Sequence, residues 1–167
     1  MKRLLASFVL LAGALPAAAQ DVPLEYRVKA AYLYNFLKFV EWPEETLSSP
    51  FTMCVAARNP FGDVLAETVR GERVAGRAVV TKVVLDSETD CDILFVPRGT
   101  AAAPYLRNPQ GTLTVGETPD FLAQGGAILF VQDGTNVRFQ INDEAAMRAG
   151  LRISSRLLRL SREAGAR

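Results

Sequence analysis

Two cysteines, Cys54 and Cys91, are the only thiols in the sequence, and histidine does not occur at all. Without an imidazole the chain has no Ser-His-Asp or Cys-His pair, no usual zinc ligand set and no side chain that ordinarily titrates near neutrality. Carboxylate or lysine chemistry stays open, yet the acidic pair Asp143-Glu144 stands at a helix start, where the helix dipole already accounts for it. Neither G-x-x-x-x-G-K-S/T nor G-x-G-x-x-G appears, so no phosphate loop is written here. The expectation is therefore no catalytic residue, no metal site and no cofactor. The even cysteine count, in an oxidising compartment, suggests a Cys54–Cys91 disulfide worth about 4 kcal/mol by chain entropy. Two buried free thiols are the other reading.

What remains is a set of residues suited to binding. Asn59, Phe61, Arg98 and Glu117 lie in turns between apolar runs and could line a small-ligand pocket, with Arg98 as its charged anchor. Helix starts at Asn59 or Thr118 would add free backbone N–H groups. Ordinary caps and turns explain the same residues. Arg152, Arg156 and Arg159 form a basic stripe near the C-terminus, and Trp42 ends the first helix; these are the candidates for a protein interface. Solvation of an exposed helix face and core packing of the indole are the competing explanations.

The elements that must position these residues are legible from periodicity. Lys2 and Arg3 precede an apolar run from Leu4 to Leu15 and the small residues Ala17-Ala18-Ala19, the pattern of a cleaved export signal. Residues 1–19 are expected to be removed and the chain to reach the periplasm. The run falls short of the ~20 apolar residues of a membrane span. Residues 20–167 then form one domain. The sequence has 19 Lys plus Arg against 18 Asp plus Glu; losing Lys2 and Arg3 leaves a net of −1, which does not suit nucleic acid.

"KAAYLYNFLKFVEWP" reads as a helix from about Leu24 to Val40, ended by Pro43. Arg27, Ala31, Tyr34, Asn35, Lys38 and Glu41 share one narrow stripe, and the rest of its circumference is apolar except for Lys29. Such a helix is buried on two sides. Strands are expected at 51–57, 77–85, 91–97 and 111–117, and helices at 59–69, 101–106 and 118–124, with Asn59 and Thr118 as caps. "AILFVQDGTNVRFQIN" reads as a hairpin around Asp133-Gly134, and a last helix runs from about Asp143, bent at Gly150, to Ser161. Alternating strands and helices imply a three-layer α/β fold: a mostly parallel sheet flanked by helices, flavodoxin-like in order, with an antiparallel hairpin at one edge. Arg98, Glu117 and the 58–62 turn would then meet beyond the carboxyl ends of the strands.

Taken together, "KAAYLYNFLKFVEWP", "CVAARNPFGDVL", "CDILFVP", "LTVGETPDFLAQGGAILF" and "VRFQINDEAAMRAGLRISSRLLRLS" resemble the YfiR-like family of exported α/β proteins, from about Glu25 to Leu160. The resemblance implies regulation without chemistry. Members act as periplasmic repressors of an inner-membrane diguanylate cyclase, through its periplasmic domain, and so lower cyclic di-GMP and biofilm formation. An outer-membrane peptidoglycan-binding lipoprotein can sequester the repressor. Homodimers and disulfides are also implied. Some members carry a second cysteine pair near the hairpin, whereas the segment from Phe121 to Phe139 has none here. A periplasmic small-ligand sensor is the alternative function.

Overall fold

The computed structural model describes residues 21–43, 50–86 and 90–165, with side chains as far as Ser161; the expected export signal lies outside them. The first helix, α1 (Leu24–Phe39), follows Pro23 and buries Lys29, Ala30, Leu33, Phe36 and Leu37. Arg27, Ala31, Asn35 and Lys38 are exposed, on the stripe expected from their spacing. The helix stops three residues before Trp42, earlier than Pro43 requires. Val40 and Glu41 leave it to form β1 (Val40–Glu41), which pairs antiparallel with β9 (Arg152–Ile153).

The remaining strands are β2 (Phe51–Ala56), β3 (Arg73–Val74), β4 (Arg77–Val84), β5 (Ile93–Val96), β6 (Leu113–Gly116), β7 (Ile128–Asp133) and β8 (Asn136–Ile141). They form one seven-stranded sheet in the order β3-β4-β2-β5-β6-β7-β8. The five strands from β4 to β7 run parallel, and in chain order they read 2-1-3-4-5, the flavodoxin-like arrangement. β3 adds antiparallel at one edge and β8 at the other. The β7–β8 turn has Gly134 at φ +60 in its first loop position, as a two-residue hairpin loop asks. All four residues of β5 and of β6 are buried, which fits strands covered on both faces.

One face carries Phe51, Met53, Val55, Ile93, Phe95 and Val115, and it is covered by α1, α2 (Val64–Val69), α3 (Asp143–Arg148) and α4 (Ser155–Gly165). The other carries Cys54, Leu94 and Val96 under a thinner layer: a 3-10 turn at Ala103–Leu106 and the segment around Phe121. Cys54 and Cys91 form a disulfide on this face, with Cα atoms 5.8 Å apart, tying β2 to the approach of β5.

Several expected helices are shorter, for local reasons. Gly62 takes φ +53, so the 59–63 segment is a turn and α2 begins at Val64. Asn59 caps that turn rather than a helix: its Oδ1 accepts from the Phe61 amide at 2.9 Å and its Nδ2 donates to the Gly62 carbonyl at 2.8 Å. Residues 118–124 are successive turns, with the Phe121 amide donating to the Thr118 carbonyl. Gly150, at φ +80, does not bend one last helix but separates α3 from α4, with β9 between them.

Candidate functional site

In a sheet of this order the crevice opens between β2 and β5, where the chain's crossovers diverge to opposite faces. Four sequence candidates do meet at this end of the sheet, but the crevice is filled from within. Val22 leads α1 into it, 3.1 Å from where a Cβ on Gly62 would stand. Two residues into the helix, the Tyr26 ring meets Phe61 edge-on at 5.4 Å, and Phe61 meets Phe95 at 5.0 Å. Phe61 is fully buried.

Behind this aromatic stack lies a network of charges. Glu25 and Lys29 are one turn apart on α1, and Lys29 Nζ bonds both Glu25 Oε1 and Glu117 Oε2. Glu117 Oε1 also accepts from the Tyr26 hydroxyl at 3.3 Å and from the Arg98 amide at 3.1 Å. The Arg98 guanidinium lies 3.6 Å from Glu25 and 3.7 Å from Glu117. Lys29 and Glu117 are both buried, whereas the Arg98 side chain is 60% exposed. The ammonium therefore sits between two carboxylates, and the guanidinium closes over them from the solvent side. Desolvation, reinforced by the charges of Glu117 and Glu25, pushes the Tyr26 phenol up to about 12.

This arrangement can hold α1 in register against the sheet, because removing one member of a buried ion pair leaves a stranded charge costing about 3–5 kcal/mol. A ligand entering beside Phe61 would have to displace Val22 and Tyr26, whereas the Arg98 guanidinium stays open to solvent. Asn59, Phe61 and Glu117 are committed to the turn, the stack and the ion pair. Sequence reasoning reached Arg98 and Glu117 but missed Lys29, Glu25 and Tyr26. The available signal was Lys29 itself, a lone cation inside an apolar arc, which calls for a buried partner.

The second candidate group gathers where α1 ends. Trp42 is 9% exposed; its indole N–H donates to the Asp92 carbonyl at 3.3 Å and its ring meets Phe51 edge-on at 5.4 Å. It is a packing residue that lines two open clefts of about 500 and 490 Å³, one toward Arg73 and Val74 and one toward Met147 and Arg152. Arg152 lies on β9, exposed, 3.8 Å from Glu41. Arg156 and Arg159 are exposed on one side of α4, and the Arg156 guanidinium lies 5.4 Å over the Phe39 ring. The three arginines thus stand free of the core around the seam between α1 and α4, which is joined by a bond from the Ser154 amide to the Phe39 carbonyl.

The family model described as YfiR/HmsC-like matches residues 26–162, from the aromatic stack through the arginines of α4. The chain belongs to the YfiR/HmsC-like family. No curated protein matches it. The match takes in the charge network apart from Glu25, together with the exposed arginines of this YfiR/HmsC-like chain, and among its described residues no helix is long and apolar enough to cross a membrane.

Proposed function

We propose that this YfiR/HmsC-like protein is a non-enzymatic periplasmic regulator that binds a membrane-bound signalling protein, a diguanylate cyclase, and lowers its output of cyclic di-GMP. The family match over residues 26–162 carries the reading. Two features of the chain support it: a crevice already filled by its own helix, and exposed arginines beside partly buried aromatics, the residue types that dominate interface energetics. Repression needs only differential affinity for one state of the cyclase's periplasmic domain. Moving that domain from 1:99 to 99:1 takes about 5.5 kcal/mol of such difference. A peptidoglycan-binding lipoprotein of the outer membrane competing for the same surface would release the cyclase.

The test is affinity capture of the tagged mature protein from gently solubilised membranes, followed by mass spectrometry. An inner-membrane cyclase should be recovered with the wild type and lost with Arg152→Glu/Arg156→Glu. Both positions are exposed, so the variant should keep the wild-type Tm. Trp42 is unsuitable for this purpose, since truncating it opens the core. Capture without any cyclase, or undiminished capture by the variant, would remove the cyclase or this surface from the proposal.

A further inference from the structure

The cleft of about 500 Å³ beside Trp42 lies at the amino ends of the parallel strands, at the opposite end of the sheet from the filled crevice. Val40, Trp42, Phe51 and Val74 give it an apolar floor. Lys38 and Arg73 also line it, both exposed, one on α1 and one on β3. The Lys38 ammonium rests 3.9 Å over the Tyr34 ring, and the Tyr34 hydroxyl bonds Glu72. Glu41 belongs to the same lining and lies 3.8 Å from Arg152.

Against this floor lies Arg77, whose side chain is only 14% exposed. Its guanidinium stacks 3.4 Å over the Phe51 ring, and strand pairing sets Val74 directly across from it. Nε and both Nη atoms are buried, and none has a hydrogen-bond acceptor. Asp92 Oδ1 lies 3.6 Å from Nη2, too far for a hydrogen bond, while Asp92 Oδ2 accepts from the Thr52 amide at 2.7 Å. A guanidinium carries five donors and cannot shed its charge, so a buried one without an acceptor is costly. Phe51 and Val74, the two residues against it, are both cleft residues.

We infer that the cleft binds an amphiphilic carboxylate, with its head on Arg77 between Val74 and Phe51 and its alkyl chain along Trp42. A carboxylate presents the planar pair of acceptors that a guanidinium fork matches. Among the described residues around the cleft, Lys38, Arg73, Arg77 and Arg152 stand against Glu41, Glu72 and Asp92. The surplus of one cation suits a monoanion, and the apolar floor suits a chain in place of further charge. The cleft's volume also falls within the roughly 300–1,000 Å³ of small-molecule sites. None of this depends on which protein the regulator binds.

Trp42 is the sole tryptophan of the chain, so its fluorescence reads the cleft. Titrating the mature protein with decanoate below its micelle concentration should give a saturable change. Octanoate should bind roughly tenfold more weakly, because two fewer methylenes leave water. Decanol, which lacks the charged head, should also bind about tenfold more weakly. Arg77→Lys keeps a cation beside Asp92 but loses the fork. It should lose about tenfold in decanoate affinity and bind decanol as wild type does. Lys38→Gln/Arg73→Gln, at two exposed positions, should weaken decanoate selectively even if Arg77→Lys fails to fold. Met147→Gln, in the cleft on the other side of Trp42, should change neither titration. The absence of a saturable change, decanol binding as tightly as decanoate, undiminished decanoate affinity in folded Arg77→Lys or in the double variant, or a loss on Met147→Gln overturns the inference.

Discussion

Tyr26 concentrates the physics of the filled crevice in one side chain. Its ring packs on Phe61 and its hydroxyl donates to Glu117, so ionising it would set a phenolate beside two carboxylates. The folded state therefore holds that proton up to about pH 12, while the unfolded chain releases it near 10. Between those values the native state binds more protons than the unfolded one, so stability falls as pH rises, and the contribution is intact below 10. Tyr26→Phe removes this linkage. Its Tm should decline less steeply than that of wild type between pH 10 and 12, and parallel profiles in a thermal melt series would show that Tyr26 ionises freely. The residues that meet here were legible unequally from sequence. Arg98 and Glu117 could be placed because strand ends in a parallel sheet converge by rule. Lys29 stands 88 positions from Glu117, and nothing local marks such a pair except the oddity of a cation on a buried face.

Among the elements, the six longer strands followed their apolar runs to within two residues, whereas the two-residue strands β1, β3 and β9 are too short to show a period and were not legible. Helix limits followed instead from glycines whose backbone angles composition does not reveal, at Gly62 and Gly150. The Gly125-Gly126 pair shows two distinct demands. Gly125 takes φ +98, a conformational need. Gly126 has no such angle, but a Cβ there would fall 2.1 Å from the buried Phe121 ring, and one on Gly116 would fall 2.3 Å from it. The ring is thus sandwiched between two backbones, and this explains why "VGETPDFLAQGG" spaces its glycines around one phenylalanine. Gly126→Ala should cost about 1–3 kcal/mol through overpacking. In urea denaturation, adding Phe121→Leu should recover part of that loss by making room. A Gly126→Ala variant as stable as wild type would mean that the ring is free to move aside.

At the scale of the whole molecule the two sheet faces are unequally covered. Helices α1 to α4 blanket one, while a 3-10 turn and the Phe121 segment cover the other, where the Cys54–Cys91 disulfide lies. The sequence left open whether these cysteines pair; what decides it is that the approach to β5 runs beside β2, with Cα atoms 5.8 Å apart. The crosslink spans a sequence separation of 37, for which chain entropy gives about 4 kcal/mol. Cys54→Ala/Cys91→Ala should lose stability of that order in denaturant titrations, and a loss below about 1 kcal/mol would show that the thin layer holds without it.

The helix lodged in the sheet's crevice has a consequence for signalling. In folds of this order that site commonly receives a solute, and the shape shown to other proteins can then follow the supply of that solute. Here the tenant is supplied by the chain itself and fastened by Lys29 and Glu117, so it arrives at unit stoichiometry with every copy. If the chain binds a partner as proposed, the surface it offers is set by how many copies are present and where they are held. A regulator built this way reports quantity and location.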